Sequence, residues 1–174
     1  MAITVQANPV NLTWGHFTVV PNQITDPADG SLVDAYTTFN FNIPSLPPRT
    51  VDGKQAFADP MTITITPNCQ VWSGVAQTAA LLSHEQWHYD IGTVTGRALA
   101  RELSRARKKT VAELITVLQN AVQLHFRTRA GLLQKRYDID TRHGTNSHYQ
   151  GVWKSRMTTC LGNPNADQLG GFYL

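Results

Sequence analysis

Eight of the nine prolines fall within residues 1 to about 70, and beyond that point the apolar period changes from two to helical. Proline fixes φ and removes a backbone donor, so the first part suits short strands and turns and the second can carry long helices. Val5, residues 12–20 and residues 34–42 have the β-branched and aromatic content of strands. Pro44, Pro47-Pro48 and Asp52-Gly53 mark turns between them. Between Pro60 and Pro67, Met61, Ile63 and Ile65 alternate with Thr62, Thr64 and Thr66, which predicts a strand with its aliphatic side on the core.

The helical period predicts one helix from near Val75 into residues 101–107, with Gly92 and Gly96 as candidate interruptions. A second is predicted from about Thr110 to Arg136, with Val111, Leu114, Ile115, Leu118, Val122, Phe126, Leu132 and Leu133 along one stripe. After Tyr137 the pattern is lost, and Gly144, Gly151, Gly162, Asn163-Pro164 and Gly170-Gly171 predict a loop-rich tail. Strands followed by helices give an α+β class. The expected architecture is a single domain over residues 1–174: a small antiparallel sheet in 1–70, two long packed helices in 75–136, and a loop-rich 137–174.

Composition excludes more than it identifies. A hydrophobic content of 41% with 16% charged residues describes a globular chain rather than a disordered one. No apolar run is long enough to span a bilayer. The start, Met1-Ala2-Ile3-Thr4-Val5-Gln6, lacks the charged head and apolar block of a secretory signal. The net charge of +3 is too small to argue for nucleic acid, and Arg97, Arg101, Arg105, Arg107, Lys108 and Lys109 read as a solvated face. Cys69 and Cys160 allow one disulfide or two free thiols, and no Cys-x-x-Cys pair is present. A metal ion would therefore rest mainly on His and carboxylate.

His84-Glu85-Gln86-Trp87-His88 supplies such groups inside an apolar helical stretch. Residues four apart lie on one helix face, so His84 and His88 can share one metal ion, with N–Zn distances of about 2.0–2.1 Å. Glu85 is turned by about 100° from His84, beside the metal rather than on it. There it can take a proton from water that the metal has acidified. The bland alternative is a pair of surface histidines with an ion-paired glutamate.

Catalytic zinc also needs a third protein ligand and an open position. Val94 occupies one common third-ligand spacing and cannot ligate, while Glu102 is too far along an unbroken helix. Glu113 falls on the polar side of the second helix, and Asp90 projects away from the two imidazoles. The remaining candidates are His125 on the apolar stripe, His143 just past the second helix, His148 in the same loop, and His16. The residues alone leave this choice open.

The chain resembles a bacterial family of predicted secreted zinc-dependent proteases of the HExxH type. The resemblance rests on Leu12-Thr13-Trp14-Gly15-His16-Phe17, Ala35-Tyr36-Thr37, His84-Glu85-Gln86-Trp87-His88-Tyr89-Asp90-Ile91, and Tyr137-Asp138-x-x-Thr141-x-His143-Gly144 with Gln150 and Trp153. It implies a zincin-like fold, a Zn2+ cofactor held by His84, His88 and His143, and Glu85 as general base. It further implies places near the site for Asp90 and Tyr137, the latter as a candidate oxyanion stabiliser. A secreted or periplasmic location follows from the resemblance alone, although the start of the chain carries no signal segment.

The leading expectation is a zinc metalloendopeptidase acting on a protein or peptide substrate, with residues 61–66 as an edge strand along which the substrate pairs. The alternative is a non-catalytic binding module whose structural zinc is closed by a fourth ligand such as His148.

Overall fold

In the computed structural model, which describes residues 3–174, strands come first and helices follow. Met1 and Ala2, at the head of the N-terminal segment, lie outside the described residues. The order is β1 (Ile3–Ala7), β2 (Phe17–Val20), β3 (Ile24–Thr25), β4 (Leu32–Val33), β5 (Ala35–Asn42), β6 (Arg49–Val51), β7 (Lys54–Ala56) and β8 (Met61–Trp72). Then come α1 (Ala79–Arg105), α2 (Val111–Val122), a π-helical segment (Gln123–Arg129), α3 (Ala130–Thr141), α4 (Ser147–Gly162) and the hairpin β9 (Gln168–Leu169) and β10 (Phe172–Tyr173). The class is α+β. No described helix is long and apolar enough to cross a membrane.

The alternation read at residues 61–66 holds and runs further: Met61, Ile63, Ile65, Cys69 and Val71 are all buried on one face of β8. The strand is central, however, and the sheet is mixed rather than antiparallel. Along one edge β8 pairs in parallel with β1, Ile3 opposite Met61, and further on with β2, Phe17 opposite Cys69. Along the other it pairs antiparallel with β5, from Ala35 opposite Val71 to Asn42 opposite Thr64. Pro67 is tolerated because it falls in the gap between the stretches paired with β1 and β2. Among the described residues β5 has β8 as its only strand partner, so β5 and not β8 presents a free edge beside α1.

α1 is capped by Thr78, whose side chain accepts from the Leu81 N–H, and runs unbroken through Gly92 and Gly96. These glycines serve close approach instead of interruption. A Cβ at Gly92 would meet the Phe39 ring of β5 at 2.5 Å, and one at Gly96 would meet Val5 of β1 at 3.2 Å. On the flank of α1, Gln86 Oε1 accepts from the Leu12 N–H and the Tyr89 hydroxyl donates toward Ile65 O at 2.8 Å, which fixes the helix to the N-terminal strands.

The second helical stretch extends beyond Arg136 to Thr141, and its middle is π-helical. A π turn accommodates more residues than an α turn, so a stripe read at 3.6 residues per turn loses phase across it. Leu114, Phe126 and Leu133 are buried as expected, whereas Val111, Ile115 and Leu132 are exposed. The tail departs most from expectation: α4 replaces part of the predicted loop. Asn146 caps it by accepting from the Tyr149 N–H, and Trp153, Met157 and Cys160 bury one side. Gly151 and Gly162 face open space and cost the helix little packing. Arg97 and Arg101 donate to the carbonyls of Leu161, Pro164 and Ala166 at the end of α4. Cys69 and Cys160 are free buried thiols in two separate apolar clusters.

Candidate metal centre

One turn of α1 turns His84 and His88 inward, both buried, with their Nε2 atoms 3.1 Å apart. Asp138 enters from α3, its Oδ1 2.9 Å from His88 Nε2 and 3.2 Å from His84 Nε2. Three donor atoms from two helices thus converge on one point. Tetrahedral ligands at about 2.0–2.1 Å from zinc lie about 3.3 Å from one another, and these spacings are close to that. The donors are two imidazole nitrogens and a carboxylate oxygen, a set that suits zinc among other divalent ions.

Two glutamines aim the imidazoles. Gln134 Oε1 bonds His88 Nδ1, and Gln134 Nε2 donates to the His88 carbonyl at 3.0 Å. With one proton held on Nδ1 there, His88 Nε2 faces Asp138 and would offer a lone pair once a cation replaced its own proton. Gln150, on α4, places its Nε2 2.8 Å from His84 Nδ1 and accepts on Oε1 from the Tyr137 hydroxyl at 2.7 Å. An amide end carries one donor and one acceptor. Turned end for end, with its oxygen on His84 Nδ1–H, the Gln150 amide would leave His84 Nε2 free to ligate a cation. The Tyr137 ring is fully buried, stacked on His84 at 4.7 Å and edge-on to His88 at 4.9 Å. Its hydroxyl lies between Gln150 and the His84 carbonyl, behind the imidazoles rather than in front of them.

Glu85 is 2% exposed, and its Oε2 has no hydrogen-bond partner. Burial pushes its carboxyl up to about 7, against the lowering effect of the His88 charge. Burial brings His84 down to about 4. For His88 burial acts the same way, but the Asp138 charge prevails and lifts it to about 9. Asp138 itself is held well below the usual carboxylate range, burial being outweighed by His88 and His84. In the absence of a cation, a proton on His88 is thus the counter-charge to Asp138.

His143 stands on the far side of Asp138, its Nδ1 3.6 Å from Asp138 Oδ1. It belongs to a turn in which Arg142, His143 and Gly144 all have positive φ, at 49°, 49° and 84°. Gly144 is required twice over, by that φ and by a Cβ that would sit 3.1 Å from the His84 ring. The other candidates lie elsewhere. His125 pairs with Glu102 at 2.8 Å, His148 is exposed on α4, and His16 accepts from the Thr13 N–H. Glu113 closes a capping box with Thr110 at the start of α2, and Asp90 accepts from Gln86 on the flank of α1.

Glu85, His84, His88, Asp138 and His143 line a cleft of about 240 Å³ whose opposite wall is the edge of β5, Ala35 to Thr38, with the β3–β4 loop above. Asp138 is a candidate ligand that reasoning from sequence did not name. The second helix was expected to end near Arg136, which put Asp138 in a loop and left its direction undefined. No protein-family model, curated protein or solved structure matches this chain.

Proposed function

We propose that the chain is a zinc-dependent metallopeptidase in which His84, His88 and Asp138 hold the cation and Glu85 is the general base. The observation that carries this reading is Glu85 itself: a buried carboxylate whose Oε2 has no partner, beside three convergent candidate donors in an open cleft. A carboxylate is costly to bury unpaired, and its retention there makes sense if it exchanges a proton. A zinc ion bound there would polarise a carbonyl and acidify water.

The chain's own residues supply the rest. Glu85, with its carboxyl raised to about 7, can accept a proton near neutral pH and later return it to a leaving amine. The free edge of β5 offers backbone N–H and C=O groups at extended spacing, which would align a peptide by strand addition across the cleft. Gln134 and Gln150 keep the imidazoles aimed, and the Tyr137 ring backs them. We assign Tyr137 a positioning role, because its hydroxyl is engaged by Gln150.

The test compares zinc-loaded wild type with Glu85→Gln on a pool of unfolded proteins and quenched extended peptides. Hydrolysis by the wild type is expected, with a loss of at least about 10²-fold in Glu85→Gln at unchanged zinc content. Zinc-loaded wild type that cleaves nothing in the pool would overturn the reading in favour of a binding module. So would equal cleavage by Glu85→Gln.

A further inference from the structure

We propose that the cleft takes a second divalent cation, held by Asp26, His143 and Asp138, with Asp138 bridging the two ions. This rests on the proposed metal centre and adds to it. One ligand atom from each of the three residues lies within 4.8 Å of the others. The group is separate from the His84–His88–Asp138 set but shares its carboxylate. A carboxylate has two oxygens and can bridge cations about 3.5–4 Å apart.

Two features of the cleft point to a cation at this place. The first is charge: Asp26, Asp34, Glu85 and Asp138 all line the cleft, and neither Lys nor Arg does. One divalent ion offsets two of these four carboxylates, so a second fits the balance. The second is the histidine. His143 Nε2 lies 3.6 Å from Asp29 Oδ2 and 3.5 Å from Ser31 Oγ. A carboxylate beside one ring nitrogen is the usual support for a metal-bound imidazole, and Asp29 stands near Nε2 while Nδ1 faces Asp138.

Asp26 is 4% exposed, and its Oδ1 already accepts from the Ala28 N–H, so Oδ2 is the oxygen offered. His143 is partly open to solvent, which gives the ion a way in. One nitrogen and two carboxylates make a harder donor set than the first site. The second ion is accordingly zinc or manganese, bound more weakly than the first.

The experiment is a titration of chelator-stripped wild type with Zn2+, and separately with Mn2+, read by native mass spectrometry and elemental analysis. Two ions per chain are expected at saturation in the wild type, and one in Asp26→Asn and in His143→Ala with unchanged circular dichroism. Diffraction from zinc-soaked crystals should show two anomalous peaks about 3.5–4 Å apart. One ion per chain in saturated wild type would overturn the second site and leave the first standing. No ion at all would overturn both. Two ions retained in both variants would refute the assigned ligands.

Discussion

Gln134 and Gln150 touch no substrate in the proposed reaction, yet each engages the Nδ1 of one of the two imidazoles. Removing such a partner usually weakens metal binding by about 10–100-fold. Gln134→Ala and Gln150→Ala should each raise the zinc dissociation constant by that much in competition with a chromophoric chelator. Gln86→Ala should leave it unchanged, since Gln86 serves Leu12, Val10 and Asp90 on the flank of the helix. Equal losses in all three would mean that the glutamines act only through stability. At this scale much was legible: His84, Glu85 and His88 are set by helical spacing, which local sequence encodes. The roles of Gln134, Gln150 and Asp138 were not, because each acts across the gap between two helices.

At the scale of elements, glycine was the residue most easily misread. Gly92 sits in the middle of α1 not to bend it but because the Phe39 ring, itself edge-on to Phe126 at 5.5 Å, occupies the space of a side chain. Gly92→Ala gains up to about 1 kcal/mol of helix propensity but forces an overpacking cost of about 1–3 kcal/mol. A net loss of about 1–2 kcal/mol is expected in urea unfolding, and Phe39→Leu in the same chain should recover most of it. A stabilised Gly92→Ala would show that the ring yields freely. The glycines of α4 misled in the opposite sense: Gly151 and Gly162 suggested loop, while the buried spacing of Trp153, Met157 and Cys160 was helical throughout. Strand β8 was found by its alternation, but alternation is a property of one strand and says nothing about its neighbours. Its central place and the free edge of β5 depend on pairing between residues far apart in sequence.

For the molecule as a whole, the basic residues of α1 turn out to be partly internal fittings. Arg97 and Arg101 are spent on carbonyls beyond α4, which weakens any case for a nucleic-acid face. A cation bound only by the folded state stabilises it by about 2.7 kcal/mol at a free concentration 100 times the dissociation constant. For a chain of this size that corresponds to a melting temperature roughly 5–11 °C higher. Thermal denaturation with zinc and with a chelator should differ by that amount, and Asp138→Asn should remove most of the difference. A chelator-insensitive melting curve would count against the metal centre.

The donors of that centre are separated along the chain, with 50 positions between His88 and Asp138. Bringing such distant residues together costs loop entropy that no local turn repays. If a cation binds there, its full donor set is therefore assembled only once α3 has docked on α1. Stopped-flow refolding beside a fluorescent zinc indicator should show uptake lagging behind the recovery of helix. Metal capture would then work as a clock for the last docking event rather than as its trigger.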